Sequence, residues 1–229
     1  MKRILLTTLA IITLVIVRVD YSMAQKETRD VDNFTKISFG ISGNLYLKQG
    51  NNQSLVLEGK DLDEIETSVS GGRLKIKRKG NNWGWNNSRI DVYITVRNLE
   101  SINLSGSGKV IGKSKFEVED LDISVSGSGR LDMDVYAENI DSGISGSGNI
   151  TLAGVSENHQ VSISGSGRMS AEDMEVERYK IHISGSGSCR INVSKEIDAN
   201  VSGSGSISYH GNPDKVYHHA SGSGKIRKI

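Results

Sequence analysis

The sequence predicts an all-β protein, a parallel β-solenoid (β-helix) with coils of about 19 residues. Three observations carry this. The phrase Ser-Gly-Ser-Gly occurs seven times, starting at Ser105, Ser126, Ser145, Ser164, Ser184, Ser202 and Ser221, at intervals of 18 to 21 residues. The residues around each copy alternate with a period of two, the signature of a strand. In 121–135, Leu121, Ile123, Val125, Leu131, Met133 and Val135 fall on one parity, and Asp, Ser and Arg fill the other. Turn pairs such as Asn-Gly, which would fold matched strands into hairpins, are few.

A repeat of this size excludes several arrays. Propeller blades need about twice the length, and the leucine and asparagine spacing of leucine-rich repeats is absent. Stacked coils remain, with Ile and Val ladders about 4.8 Å apart filling the interior. Each coil reads as a strand, a Ser-Gly corner, a second strand and a more polar stretch holding a third short strand. That third element draws on Phe116 and Val118, Val155, Met174 and Val176, Ile197, or Val216. The parity count puts both glycines of every corner inward, where a turning backbone leaves no room for a side chain. The serines face out and bond along the stack. Looser echoes of the phrase stand at Ile41-Ser42-Gly43-Asn44 and Val69-Ser70-Gly71-Gly72.

Three segments follow. Residues 1–24 read as a signal peptide: Lys2 and Arg3, an apolar run from Ile4 to Val17, then Ser22-Met23-Ala24 before a cut. Cleavage after Ala24 would start the mature chain at Gln25, with no transmembrane span; an uncleaved anchor is the alternative. Residues 25–98 are irregular, either early coils with insertions or a sheet that caps the stack. Residues 99–229 are the regular solenoid, whose last edge Lys225, Arg227 and Lys228 would blunt.

The chemistry-bearing residues do not form a catalytic pattern. Gly-Ser-Gly recurs in every copy, as a corner does and a unique nucleophile does not. The sole cysteine, Cys189, lies on the inward parity and reads as a small core residue, with no partner for an internal disulfide. His210, His218 and His219 could hold a metal only if their loop gathered them; with His159 and His182 they read as exposed loop or strand residues. Asp132, Asp134 and Asp141 are close in sequence and mostly outward, without the partners of a glycosidase pair. Arg130 and Arg168 take equivalent places after the corner, where Asn149, Ser188 and Ser206 stand in other coils, a variability typical of solvated surface. No cofactor or metal is expected.

The distinctive segment is Lys77 to Arg89, KRKGNNWGWNNSR, which holds both tryptophans. Trp83 and Trp85, with Asn82, Asn86 and Arg89, form the candidate ligand site: indoles to stack on a sugar, amides and a guanidinium to bond its hydroxyls. The competing reading folds the indoles back as a cap. Basic residues among aromatics can also hold nucleic acid. A net charge of +1 and the export signal argue against that partner.

The signal peptide, the strand start Asp32-Asn33-Phe34-Thr35-Lys36-Ile37, the Ile41-Ser42-Gly43 phrase and the Ser-Gly ladder together resemble the family called putative auto-transporter adhesin, head GIN domain, secreted proteins of Bacteroidetes-type bacteria. The resemblance covers roughly 30–226. It implies a right-handed parallel β-helix, the hand that general chirality rules also favour, and an envelope or extracellular location. It supplies no catalytic residues. The expected function is a non-enzymatic surface module binding polysaccharide or an envelope protein. The alternatives are a self-assembling structural module, such as a homo-oligomer, and a carbohydrate-active β-helix enzyme.

Overall fold

The computed structural model describes residues 25–80 and 89–229. The N-terminal elements are β1 (Gln25–Thr28), β2 (Lys36–Phe39), β3 (Gly43–Gln49), β4 (Ser54–Gly59), a 3-10 turn (Leu62–Glu64), β5 (Ile65–Ser70), β6 (Arg73–Arg78), β7 (Ile90–Val96) and β8 (Ser101–Gly106). The regular body follows as β9 (Lys109–Gly127), β10 (Arg130–Gly146), β11 (Asn149–Gly165), β12 (Arg168–Gly185) and β13 (Ser188–Gly203). The chain ends with β14 (Ser206–His210), β15 (Lys215–Gly222) and β16 (Lys225–Lys228).

The body is a stack of parallel coils. β9 to β13 pair in sequence order along nearly their whole lengths. Like therefore meets like. One inward ladder runs Leu104, Val125, Ile144, Ile163, Ile183, Val201, and another runs Val110, Leu131, Ile150, Met169, Cys189, Ile207. All of these are buried, in one apolar core that runs from Phe34 to Ile207.

Two details of the coil differ from the sequence expectation. The coil is not three short strands joined by loops. Each of the first five Ser-Gly corners is followed by continuous β structure of 16 to 19 residues up to the next corner. It bends at irregularities in register, such as those between Asp132 and Asp134 and between Thr151 and Gly154. Bulges turn a strand without ending it. At one such bend Gly154 shifts the phase, so Ser156 is buried and Val155 is 47% exposed, the reverse of the inward role expected for Val155.

The two glycines of a corner also do not share a face. In 126–129, Gly127 is exposed with φ +107°, and Gly129 is buried. The bend consumes one residue out of phase. The inward glycine leaves space for the apolar residue that precedes the corner one coil earlier: a Cβ on Gly187 would stand 2.6 Å from Ile163 Cγ2. The Ile and the second Gly of Ile-Ser-Gly-Ser-Gly are thus knob and socket between successive coils. Backbone bonds close the corner, with Ser166 N–H donating to Gly146 O at 2.8 Å and Arg168 N–H to Gly148 O at 2.9 Å.

Strands β1 to β7 divide into parallel-stacked strands and reversed strands. β2 and β3 pair in parallel with β8 and β9, and on their other side with β6 and β7. The coil of β6 and β7 is therefore outermost, although it comes later in the chain. The segment between β3 and β6 reverses over it: β4 runs antiparallel to β7, β5 antiparallel to β6, and β1 antiparallel to β4. A stack end exposes pairing edges, and reversed strands cover this one. The Gly71-Gly72 pair, an apparent echo of the corner phrase, is instead the two-residue turn of the β5–β6 hairpin. Its φ values of +57° and +70° suit the twist of flanking strands. The echo at Ile41–Asn44 is a true corner: Asn44 pairs with Lys109, and the Ser42 and Ser107 hydroxyls lie 3.1 Å apart.

Candidate functional site

The outermost coil differs from its neighbours at one corner. Phe39 pairs with Ile76, and Gly43 with Ile90. Thirteen residues, 77–89, thus separate Ile76 from Ile90, where three, 40–42, separate Phe39 from Gly43 one coil inward. Of the predicted site residues, Arg89 is exposed beside the start of β7. Asn82, Trp83, Trp85 and Asn86 lie outside the described residues.

Around this end the register builds a surface that sequence reasoning missed. Tyr46 and Tyr93 are partners across β3 and β7, with ring centroids 5.0 Å apart and planes 19° apart. Lys113 Nζ lies 5.0 Å from the Tyr46 centroid, and Lys26 Nζ 5.8 Å from that of Tyr93. Ammonium groups over tyrosine rings are attracted by the ring quadrupole. Tyr46 and Tyr93 are 47 residues apart, so only the swapped coil order could reveal the pair.

The long ladder of corner serines faces solvent. Ser126, Ser145, Ser164, Ser184 and Ser202 pair in register and are all exposed. Their function is first architectural, because they flank the glycines that turn the chain.

Buried chemistry is confined to the lumen. Cys189 is 1% exposed, and burial pushes its thiol up to about 12. A thiol this protonated is a poor nucleophile. His159 was expected at the surface, but it occupies an inward ladder, Leu121, Ile140, His159, Tyr179, Ile197. Its exposure is 1%, and desolvation lowers its pKa to about 3, so the imidazole is neutral. The Tyr179 ring tilts against it at 5.1 Å.

His182, His210, His218 and His219 are exposed, and among the described residues no three His, Cys, Asp or Glu side chains gather as a metal site. Asp132 and Asp141 are exposed, whereas Asp134 is half-buried. No helix among the described residues is long and apolar enough to cross a membrane.

A concavity of about 490 Å³ lies near the other end of the stack. Arg168, Arg190 and Arg227 line it with Ser188, Ser206 and Ser208, over Cys189.

Solved structures share this architecture. The chain is 25% identical to a putative adhesin from Bacteroides fragilis, with a TM-score of 0.87, covering 91% of this chain and 98% of that one. A putative lipid binding protein from Parabacteroides distasonis is 24% identical with a TM-score of 0.74, covering 91% and 98%. A putative adhesin from Parabacteroides merdae is 22% identical with a TM-score of 0.75, covering 91% and 97%. The last two likenesses establish the fold alone. No curated protein matches the chain. Residues 33–213, from the strand start before β2 to the loop after β14, match the family described as "Putative auto-transporter adhesin, head GIN domain", and the chain belongs to that family.

Proposed function

We propose that this chain is a non-catalytic adhesion module of the cell envelope that binds a surface glycan. An exported, adhesin-type role accords with the family and with the Bacteroides fragilis relative. The glycan is the further step. The observation that carries it is the spacing on the outermost coil, where thirteen residues separate Ile76 from Ile90 and three separate their partners Phe39 and Gly43. The composition of residues 77–89, two indoles among asparagines beside exposed Arg89, suits stacking on a sugar face with bonds to the hydroxyls.

A glycan array probed with the protein from Gln25 onward tests this beside the Trp83→Ala/Trp85→Ala variant. Saturable binding that the folded variant loses supports the reading. Absence of binding by the wild type, with a large drop in the variant's melting temperature, would make the indoles a cap and the protein a structural module.

A further inference from the structure

We propose that the concavity on the C-terminal coils is a second binding site, specific for a saccharide that carries carboxylate or sulfate. This deepens the adhesion reading and rests on it.

The site is a product of register. In one outward ladder Arg168, Ser188, Ser206 and Lys225 follow one another. In the next, two residues along each strand, the order is Ser170, Arg190, Ser208 and Arg227. A long side chain stands beside a short one at Arg168/Ser170 and Ser188/Arg190, both are short at Ser206/Ser208, and both are long at Lys225/Arg227. The short serines sink into a floor, and the arginines rise around it. Earlier in the same ladders stand Arg130 and Asn149, then Asp132 and Thr151. From Arg168 onward the two ladders carry four cations and no acid.

The guanidinium donors are largely unspent. The Arg168 guanidinium makes no hydrogen bond or ion pair with any described residue. Arg227 uses only Nε, in a long 3.4 Å bond to Ser208 Oγ. Arg190 approaches Glu172 at 3.8 Å, and that carboxylate also lies 3.6 Å from His210 Nε2. A planar fork of donors matches carboxylate and sulfate geometry, and a converging set of forks with unmet donors favours an anion.

The floor then selects among anions. Ser188, Ser206 and Ser208 offer hydroxyls that both donate and accept, as sugar hydroxyls require. The one apolar lining residue, Cys189, is buried. No aliphatic or aromatic surface is present to receive an acyl chain, so a saccharide fits better than a membrane. Arg190 and Arg227 stand two coils apart, roughly 10 Å along the axis. That span suits acids on successive sugar units better than one small ion.

Calorimetric titration tests this with oligogalacturonate, a heparin-derived oligosaccharide, a neutral oligosaccharide of similar length, sodium sulfate and phosphatidylglycerol vesicles. The expected result is saturable binding of at least one acidic oligosaccharide, at least tenfold weaker in Arg168→Gln/Arg227→Gln and unchanged in Arg130→Gln. These exposed substitutions leave the melting temperature unaltered. Equal weakening by Arg130→Gln would mean diffuse attraction and would overturn the site. Equal affinity for the neutral oligosaccharide or for sulfate alone, or binding of vesicles only, would overturn it too. If the double variant binds the acidic oligosaccharides as the wild type does, this site fails while the adhesion reading stands. If the wild type binds neither these sugars nor any on the array, both fail.

Discussion

Ser142 Oγ and His159 Nε2 lie 2.9 Å apart inside the solenoid, on adjacent ladders of a largely apolar lumen. His159 Nδ1 and the Tyr179 hydroxyl beside it have no hydrogen-bond partner. The neighbours of His159 in its ladder are Ile140 and Tyr179, and those of Ser142 are Ile123 and Val161. A polar pair thus stands where the repeat elsewhere places aliphatic residues. Replacing both members by apolar groups of suitable shape removes the desolvation cost without orphaning either. Ser142→Val/His159→Ile is expected to raise the denaturation midpoint, whereas His159→Ile alone, which strands the Ser142 hydroxyl, gains less. Equilibrium urea unfolding of the three proteins checks this.

The same pair makes stability depend on pH. Burial lowers the His159 pKa to about 3 from the usual 6.5, so the unfolded chain takes up this proton first. The contribution is fully present above pH 6.5 and is lost as pH falls from 6.5 toward 3. At pH 5 the loss is roughly 2 kcal/mol. Unfolding of the wild type at pH 7.5 and pH 5 should differ by about that much more than unfolding of the double variant, which lacks the imidazole.

The corner phrase divides into parts of unequal weight. Gly187→Ala would drive a methyl into Ile163 and is expected to cost about 1–3 kcal/mol. Ser186 is exposed, and its structural bond is from its backbone N–H to Gly165 O at 2.8 Å, which alanine keeps. Ser186→Ala should change stability by less than about 0.5 kcal/mol. Thermal melts of the two variants provide the comparison. A larger loss from the serine would mean that the hydroxyl ladder, and not the glycine socket, holds the coils.

Arg29 fastens the cap. Its guanidinium donates to Leu62 O at 2.7 Å, to Ile65 O at 2.6 Å, to Thr67 Oγ1 at 3.2 Å and to Glu27 Oε1 at 3.0 Å. Its side chain is 14% exposed. Charged hydrogen bonds to carbonyls are worth about 1.5–3 kcal/mol each, so Arg29→Ala should cost at least about 2 kcal/mol. Hydrogen exchange should locate the loss first in β1, β4 and β5, with β10 to β12 unchanged.

The regular coils were legible in the sequence because a parallel stack places identical positions one above another. Ile144, Ile163 and Ile183 follow one another in the chain as they do in space. The corner face was misjudged at Gly127 because a bend shifts the phase of two, and alternation cannot locate the slip. Val155 failed for the same reason at Gly154. His159 looked like surface from its residue type, although it shares the inward parity of Val161 and Ile163, and that alternation was the signal that could have placed it inside. The coil swap near the N-terminus left no periodic trace, since the β3–β6 connection reverses direction. Tyr46 with Tyr93, and Arg29 with Leu62 and Ile65, were therefore invisible. The arginine-and-serine concavity was read as variable solvated surface at Arg168, Ser188 and Ser206, because only stacking turns short side chains into a floor.

The central claim is that this solenoid holds its partner and does no chemistry on it. The most direct measurement incubates the protein with a glycan identified on the array, measures binding by calorimetry and recovers the glycan for mass spectrometry. Saturable binding with the glycan returned at its original mass is the predicted result. A shortened or chemically altered glycan would contradict it.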